Sequence, residues 1–211
     1  MVGLLVAVFA FVAAIGGVIA GVAGSYQAHI AYDTEVVSNR ALVISNSLRF
    51  LTYQDSTESN REWQIAPIIE NVGNTPTSKL RFITELGLCR NGPPAKVEMD
   101  KQFSNIEDKW SVREKSILGP KSDVYGYTLR ASNIIMLQCP IAISAWGIIK
   151  YSDIFKNSHI TEFCTFVLID KFKDFLSYAP GASIRVDTHA CDSHNCIDEE
   201  CGPNWRQRAA Q

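Results

Sequence analysis

The first 24 residues carry no charged side chain, in a chain of 211 residues that is 20% charged. Met1 to Gly24 reads MVGLLVAVFAFVAAIGGVIAGVAG. As a helix it rises roughly 36 Å, enough to cross a hydrocarbon core of about 30 Å with some tilt. Gly16, Gly17, Ala20, Gly21 and Gly24 suit close helix packing in lipid. The segment also lacks a basic n-region, and its apolar run is longer than a usual h-region. Both absences count against a cleaved leader, although Gly21-Val22-Ala23 fits a small-x-small cleavage site. Lys and Arg are missing again from Ser25 to Asn39. That fits export of the C-terminal flank, because positive charge is what holds a flank in the cytoplasm.

Other absences exclude function classes. The net charge is -2, without the basic excess of a phosphate-contacting nucleic-acid binder. There is no Gly-x-Ser-x-Gly elbow and no Walker loop. GLCRNGPP is a turn rather than a phosphate cradle, so neither an enzyme nor a cofactor is expected. No Asn-x-Ser/Thr sequon occurs.

What is present is mainly β. Ser25–Asn39 lacks Gly and Pro and is expected to continue the first helix as a juxtamembrane stalk. Ala41–Tyr53, Trp63–Val72 and Lys79–Gly87 read as strands, with shorter ones at Ser116–Pro120 and Val124–Thr128. Pro67 lacks an N–H and predicts an edge or a bulge. Gly73, Asn74 and Pro76 predict a structural corner, with Gly73 free to take positive φ. Pro140–Tyr151 and His159–Ile169 form the strongest hairpin candidate. Arg90–Trp110 reads as a long loop and Arg130–Leu137 as a short helix. Trp146 is expected in the core and Trp63 at a sheet end, leaving Trp110 as a candidate surface contact. His159 reads as a turn histidine or a structural hydrogen-bond partner. Glu70, Glu85 and Asp153 have no sequence-defined partners. The division that follows is a transmembrane helix over 1–24, a helical stalk over 25–39, a β-sandwich over 40–190 and a Cys-rich tail over 191–211.

Six cysteines follow the hydrophobic segment: Cys89, Cys139, Cys164, Cys191, Cys196 and Cys201. An even count after an export-like segment is compatible with disulfides, but spacing does not give the pairing. From His189 to Cys201 lie three Cys, two His and four acids. His189, Cys191, His194, Cys196 and Cys201 are therefore candidate zinc ligands, with successive cysteines five positions apart.

The segments SNRALVIS, WQIAPIIENVGNTPT, LGPKS, WGIIKYSDIFKNSHITEFC and SHNCIDEEC, in that order, resemble a family of uncharacterised bacterial membrane-anchored proteins. Members have one N-terminal membrane helix and a β-rich domain similar to immunoglobulin-like bacterial surface domains. The resemblance implies an envelope protein and carries no catalytic residue. Its recurring Phe-Cys and Glu-Cys fall on Cys164 and Cys201, which makes these the first bridge candidate and leaves Cys191–Cys196 as a second. The expectation is a single-pass protein of the bacterial inner membrane, held in lipid by residues 1–24. Its immunoglobulin-like domain would be periplasmic or otherwise extracytoplasmic. It would serve as an interaction or structural module for protein partners or self-association, with contact loops at Gln54–Arg61 or Arg90–Trp110. The alternative is a metal-binding or redox module built on the tail.

Overall fold

A computed structural model describes residues 2–54, 61–90, 95–108, 117–132, 142–168 and 179–210. Only the backbone is described for 2–16, 18–20, 37, 53–54, 61, 88–90, 107–108 and 131–132. The chain divides into two compact units, Met1–Arg40 and Ala41–Gln211. The first is a single helix, α1 (Val2–Asn39), covering both the apolar segment and the expected stalk. Within it His29 Nδ1 and Asp33 Oδ2 pair at 2.8 Å, one turn apart and exposed. Among the described residues no helix is long and apolar enough to cross a membrane, so the span expected over Met1–Gly24 rests on sequence alone.

The second unit is mostly β, in two antiparallel sheets. One contains β1 (Val43–Gln54), β2 (Arg61–Asn71), β4 (Asp123–Tyr125), β5 (Leu129–Ser132) and β8 (Ser183–Asp187), in the order β4-β2-β1-β8 with β5 also on β2. The other contains β3 (Ser78–Arg90), β6 (Ala142–Ser152), β7 (Ser158–Leu168), β9 (His189–Ala190) and β10 (Cys196–Ile197), in the order β10-β7-β6-β3 with β9 also on β7. A shared core joins the sheets: Leu48, Phe50, Trp63, Ile65 and Ile69 meet Leu80, Ile143, Ile149, Tyr151 and Phe163. This is the arrangement of a β-sandwich. A register shift between Ile44 and Ser47 changes which positions of β1 face inward, so Val43 is buried before it and Leu48 and Phe50 after it. Trp63 is fully buried rather than capping a sheet end, and meets Phe50 edge-on at 6.4 Å.

A third layer covers the outer face of the second sheet. α2 (Lys96–Asp108) lies within the region expected to be a loop. Its Met99, Phe103 and Ile106 are spaced as one helical stripe, and all three are buried. They pack with Trp146, Ile148, Ile160, Cys164, Cys191 and Ala209. The last comes from α3 (Trp205–Ala210). β6 is thus buried along its whole length, on both faces. Gly147 in its middle has no room for a side chain. A Cβ there would collide with the Ile83 carbonyl oxygen and reach Phe163 Cε1 at 2.9 Å.

Other expectations also change. Leu129–Ser132 is strand β5 instead of the start of a helix, because it pairs with Glu62–Ile65 of β2. Residues 133–140, with Cys139, lie outside the described residues, as do Trp110, residues 91–94 and most of the expected contact loop Gln54–Arg61. Ser116–Pro120 gives no strand over its described residues, though Thr77 N–H donates to the Leu118 carbonyl at 2.9 Å. β2 is interior, yet Pro67 falls between the β5 and β4 pairings, where its carbonyl accepts from Gly126 N–H at 2.9 Å. Its missing donor lies on that same interrupted side. The corner after β2 is anchored by buried Asn71. Its Oδ1 accepts from Gly73 N–H at 3.0 Å, and its Nδ2 donates to the carbonyls of Thr75 (2.8 Å) and Gly119 (3.1 Å). The positive-φ glycines are Gly181 and Gly202, so Gly73 serves the corner without that conformation.

Candidate functional site

The tail returns to β7 twice, and that decides its cysteine chemistry. β9 places Ala190 opposite Thr165, which sets Cys191 beside Cys164. Cys191 N–H donates to the Cys164 carbonyl at 2.9 Å, and the two cysteines are bridged with Cα atoms 5.4 Å apart. Asn195 fixes the loop, accepting from Cys164 N–H at 3.0 Å and donating to the Cys191 carbonyl at 2.8 Å. β10 then pairs Cys196 with Glu162. A 3₁₀ turn over Asp198–Cys201 brings Cys201 back to Cys196, and these two form the second bridge with Cα atoms 5.1 Å apart. Both expected pairings, Cys164–Cys201 and Cys191–Cys196, are therefore corrected. Each fails because β9 and β10 dock at different points along β7. Among the described residues no cysteine is free.

Around the second bridge, side chains from three elements converge. Glu162 is buried on the outer face of β7. His194 Nδ1 lies 2.8 Å from Glu162 Oε2, and its Nε2 lies 2.9 Å from Asp100 Oδ1 on α2. The Arg208 guanidinium donates to Glu162 Oε1 through Nη2 and to the Cys201 carbonyl through Nη1 at 3.0 Å. The His194 ring stacks on Phe103 with centroids 3.9 Å apart and planes 6° from parallel. Hydrogen bonds from Lys96 and then from His194 hold the Asp100 carboxyl below its usual range. Two clefts open here, of about 440 and 330 Å³, and share Glu162, His194 and Cys201. The Cys196 and Cys201 sulfurs and a Glu162 oxygen all lie within 4.8 Å of one another.

A second histidine is held the same way but sealed. His159 Nδ1 lies 2.8 Å from Asp198 Oδ2 and Nε2 lies 3.0 Å from Asp153 Oδ2. The side chains of His159, Asp153 and Asp198 are 7%, 1% and 4% exposed. Burial alone lowers the His159 pKa, but hydrogen bonds to Asp198 and Asp153, aided by their charges, overcome it and raise the value above 6.5. Asp198 Oδ1 also accepts from Ile160 N–H at 3.1 Å, and Tyr151 stacks on the imidazole at 5.1 Å. His194 and Asp198 take left-handed backbone conformations, with φ of 58° and 52°. Backbone strain of this kind is held only where the surroundings enforce it.

The five expected zinc ligands thus separate. Cys191 is consumed in the core bridge, and His189 is exposed with its ring 5.5 Å from that of Phe166. His194, Cys196 and Cys201 stay together and gain Glu162. Of the three acids without assigned partners, Asp153 binds His159 and Glu70 pairs with Arg185 at 2.6 Å. His159 is the structural hydrogen-bond partner, not a solvated turn residue. Asp100, Phe103, Glu162 and Arg208 were not anticipated. Only Glu162 had a local signal, as a charge inside the apolar strand HITEFCTFVL. No protein-family model, curated protein or solved structure matches the chain.

Proposed function

We propose that this chain is a single-pass protein of the bacterial inner membrane. Its immunoglobulin-like β-sandwich lies outside the cytoplasm as a non-enzymatic interaction or structural module. The observation that carries the reading is the Cys164–Cys191 bridge. It sits inside the apolar layer over β7, with both cysteines buried among Met99, Ile160 and Phe166. Buried structural disulfides of this kind belong to oxidising compartments. The uncharged Met1–Gly24 segment supports the anchor. The clefts beside Phe103 and Arg208 are the contact surface of this reading, and Phe103 falls within the expected contact segment Arg90–Trp110. Reporters fused after Gln211 test it. A reporter active only after export is expected to work, and activity of one that functions only in the cytoplasm would overturn the reading.

A second reading, metal binding or redox use of the tail, is favoured by one observation. Glu162, Cys196 and Cys201 bring their ligand atoms within 4.8 Å of one another. Metal analysis of the purified chain with a parallel thiol count separates it from a purely structural tail.

A further inference from the structure

We infer that the Cys196–Cys201 bridge masks a binding site for a thiophilic divalent cation of the zinc class, which reduction of that bridge opens. The inference rests on the second reading above and specifies its ligands and its switch.

The bridge differs from a core staple in its surroundings. Both cysteines are half-buried, Cys201 lines both clefts, and Cys196 lines one of them. A buried carboxylate, Glu162, faces the two sulfurs. While bridged, the sulfurs are neutral and offer poor ligands. Once reduced they become two thiols beside a carboxylate, and three anions at this spacing would repel one another strongly. A dication between the three groups reverses the sign of the interaction and draws the thiols into their anionic form.

The geometry suits such an ion. Zinc–sulfur bonds of about 2.3 Å and zinc–oxygen bonds of about 2.0–2.2 Å place tetrahedral ligand atoms about 3.5–4 Å apart, so the two sulfurs, bonded in the bridge, separate on reduction while the Glu162 oxygen, within 4.8 Å of both, stays in reach. Side-chain rotation at Cys196 and Cys201 supplies that movement. Glu162 is already oriented, with one oxygen held by His194 and the other by Arg208. His194 is itself fixed by Asp100 and Phe103. Such outer contacts orient a carboxylate ligand without binding the ion themselves. The fourth position faces the cleft and is left to water. The steps balance: a dithiol passes two electrons and two protons to the bridge and becomes a disulfide, and the cation then displaces both thiol protons to solvent.

The test is a zinc titration of the full chain in detergent, against a chromogenic chelator. It is run before and after limited dithiol reduction, with the reductant removed and the opened bridge identified by mass spectrometry. The expected result is one zinc bound per chain only after Cys196–Cys201 opens. Glu162→Gln is expected to weaken binding at least about tenfold with unchanged circular dichroism. Cobalt(II) should show thiolate charge-transfer absorption, which reports sulfur ligation in the unmutated chain. Equal zinc binding before and after reduction would overturn the switch while leaving a metal-binding tail. No binding in either state would overturn both. Cobalt bound without the thiolate band would overturn the ligand assignment.

Discussion

The two bridges of the tail are 27 and 5 residues in separation; the first lies within the apolar layer and the second at its edge, where Cys201 packs against it. Cys164–Cys191 lies among Met99, Ile160 and Phe166 in an apolar layer. Cys196–Cys201 lies beside a carboxylate, a histidine and two clefts. The histidines repeat the contrast. His159 and His194 each sit between two carboxylates, but the first is 7% exposed and the second 19%. The lesson is that one docking event serves two purposes. Its sealed half, with Cys164–Cys191 and the His159 network, ties the tail down. Its open half sets half-buried Cys196, Cys201 and His194 around the buried Glu162 at the clefts.

The sharpest way to break this comparison is to remove each bridge in turn. Closing the longer loop restricts the unfolded chain by about 3–4 kcal/mol and the shorter by about 2 kcal/mol in the chain-entropy account. Cys164→Ala with Cys191→Ala also leaves a gap in the apolar layer. That pair is therefore expected to lose about 4 kcal/mol or more in urea unfolding. Cys196→Ala with Cys201→Ala is expected to lose about 2 kcal/mol or less. Equal losses would erase the distinction.

The histidines give the next largest effect. His159→Gln leaves Asp153 and Asp198 buried without their cation and is expected to cost about 3 kcal/mol. Its folded pKa is raised above 6.5. The stabilisation is therefore fully present below that value and is lost as pH rises through the higher folded pKa. The gap between the original chain and His159→Gln should narrow as pH rises above 6.5, read from urea midpoints. A gap that widens over that range would contradict the buried imidazolium. His194→Gln, at a cleft wall, is expected to cost about 1 kcal/mol or less.

The smallest expected effect on stability is also the most selective in chemistry. Under graded dithiol, Cys196 and Cys201 should be alkylated before Cys164 and Cys191, because thiolate access controls exchange. Peptide mapping of the alkylated chain checks the order. Simultaneous opening would mean that the layer over β7 does not protect its bridge.

Much of the sandwich was legible because its signals are local. Pro140–Tyr151 and His159–Ile169 announce themselves through β-branched and aromatic residues around a polar turn, and β6 and β7 form that hairpin. The third layer was not legible. In α2 the stripe Met99, Phe103 and Ile106 is carried by mostly polar residues after the sequence Asn-Gly-Pro-Pro, so composition suggested a loop. The bridges failed for a different reason. They depend on where β9 and β10 dock on β7, a long-range pairing that cysteine spacing does not encode. The tail was rightly singled out for its density of Cys, His and acids. Its partners Glu162, Asp100 and Arg208 lie far along the chain and meet it only through the fold.

The central claim is that the tail is locked to the domain in an oxidising compartment. Alkylation of intact cells before lysis, followed by non-reducing peptide mapping, tests it most directly. The account predicts a linked Cys164–Cys191 peptide pair and no alkylation at either residue. Recovery of both as alkylated free thiols from a folded chain would contradict it.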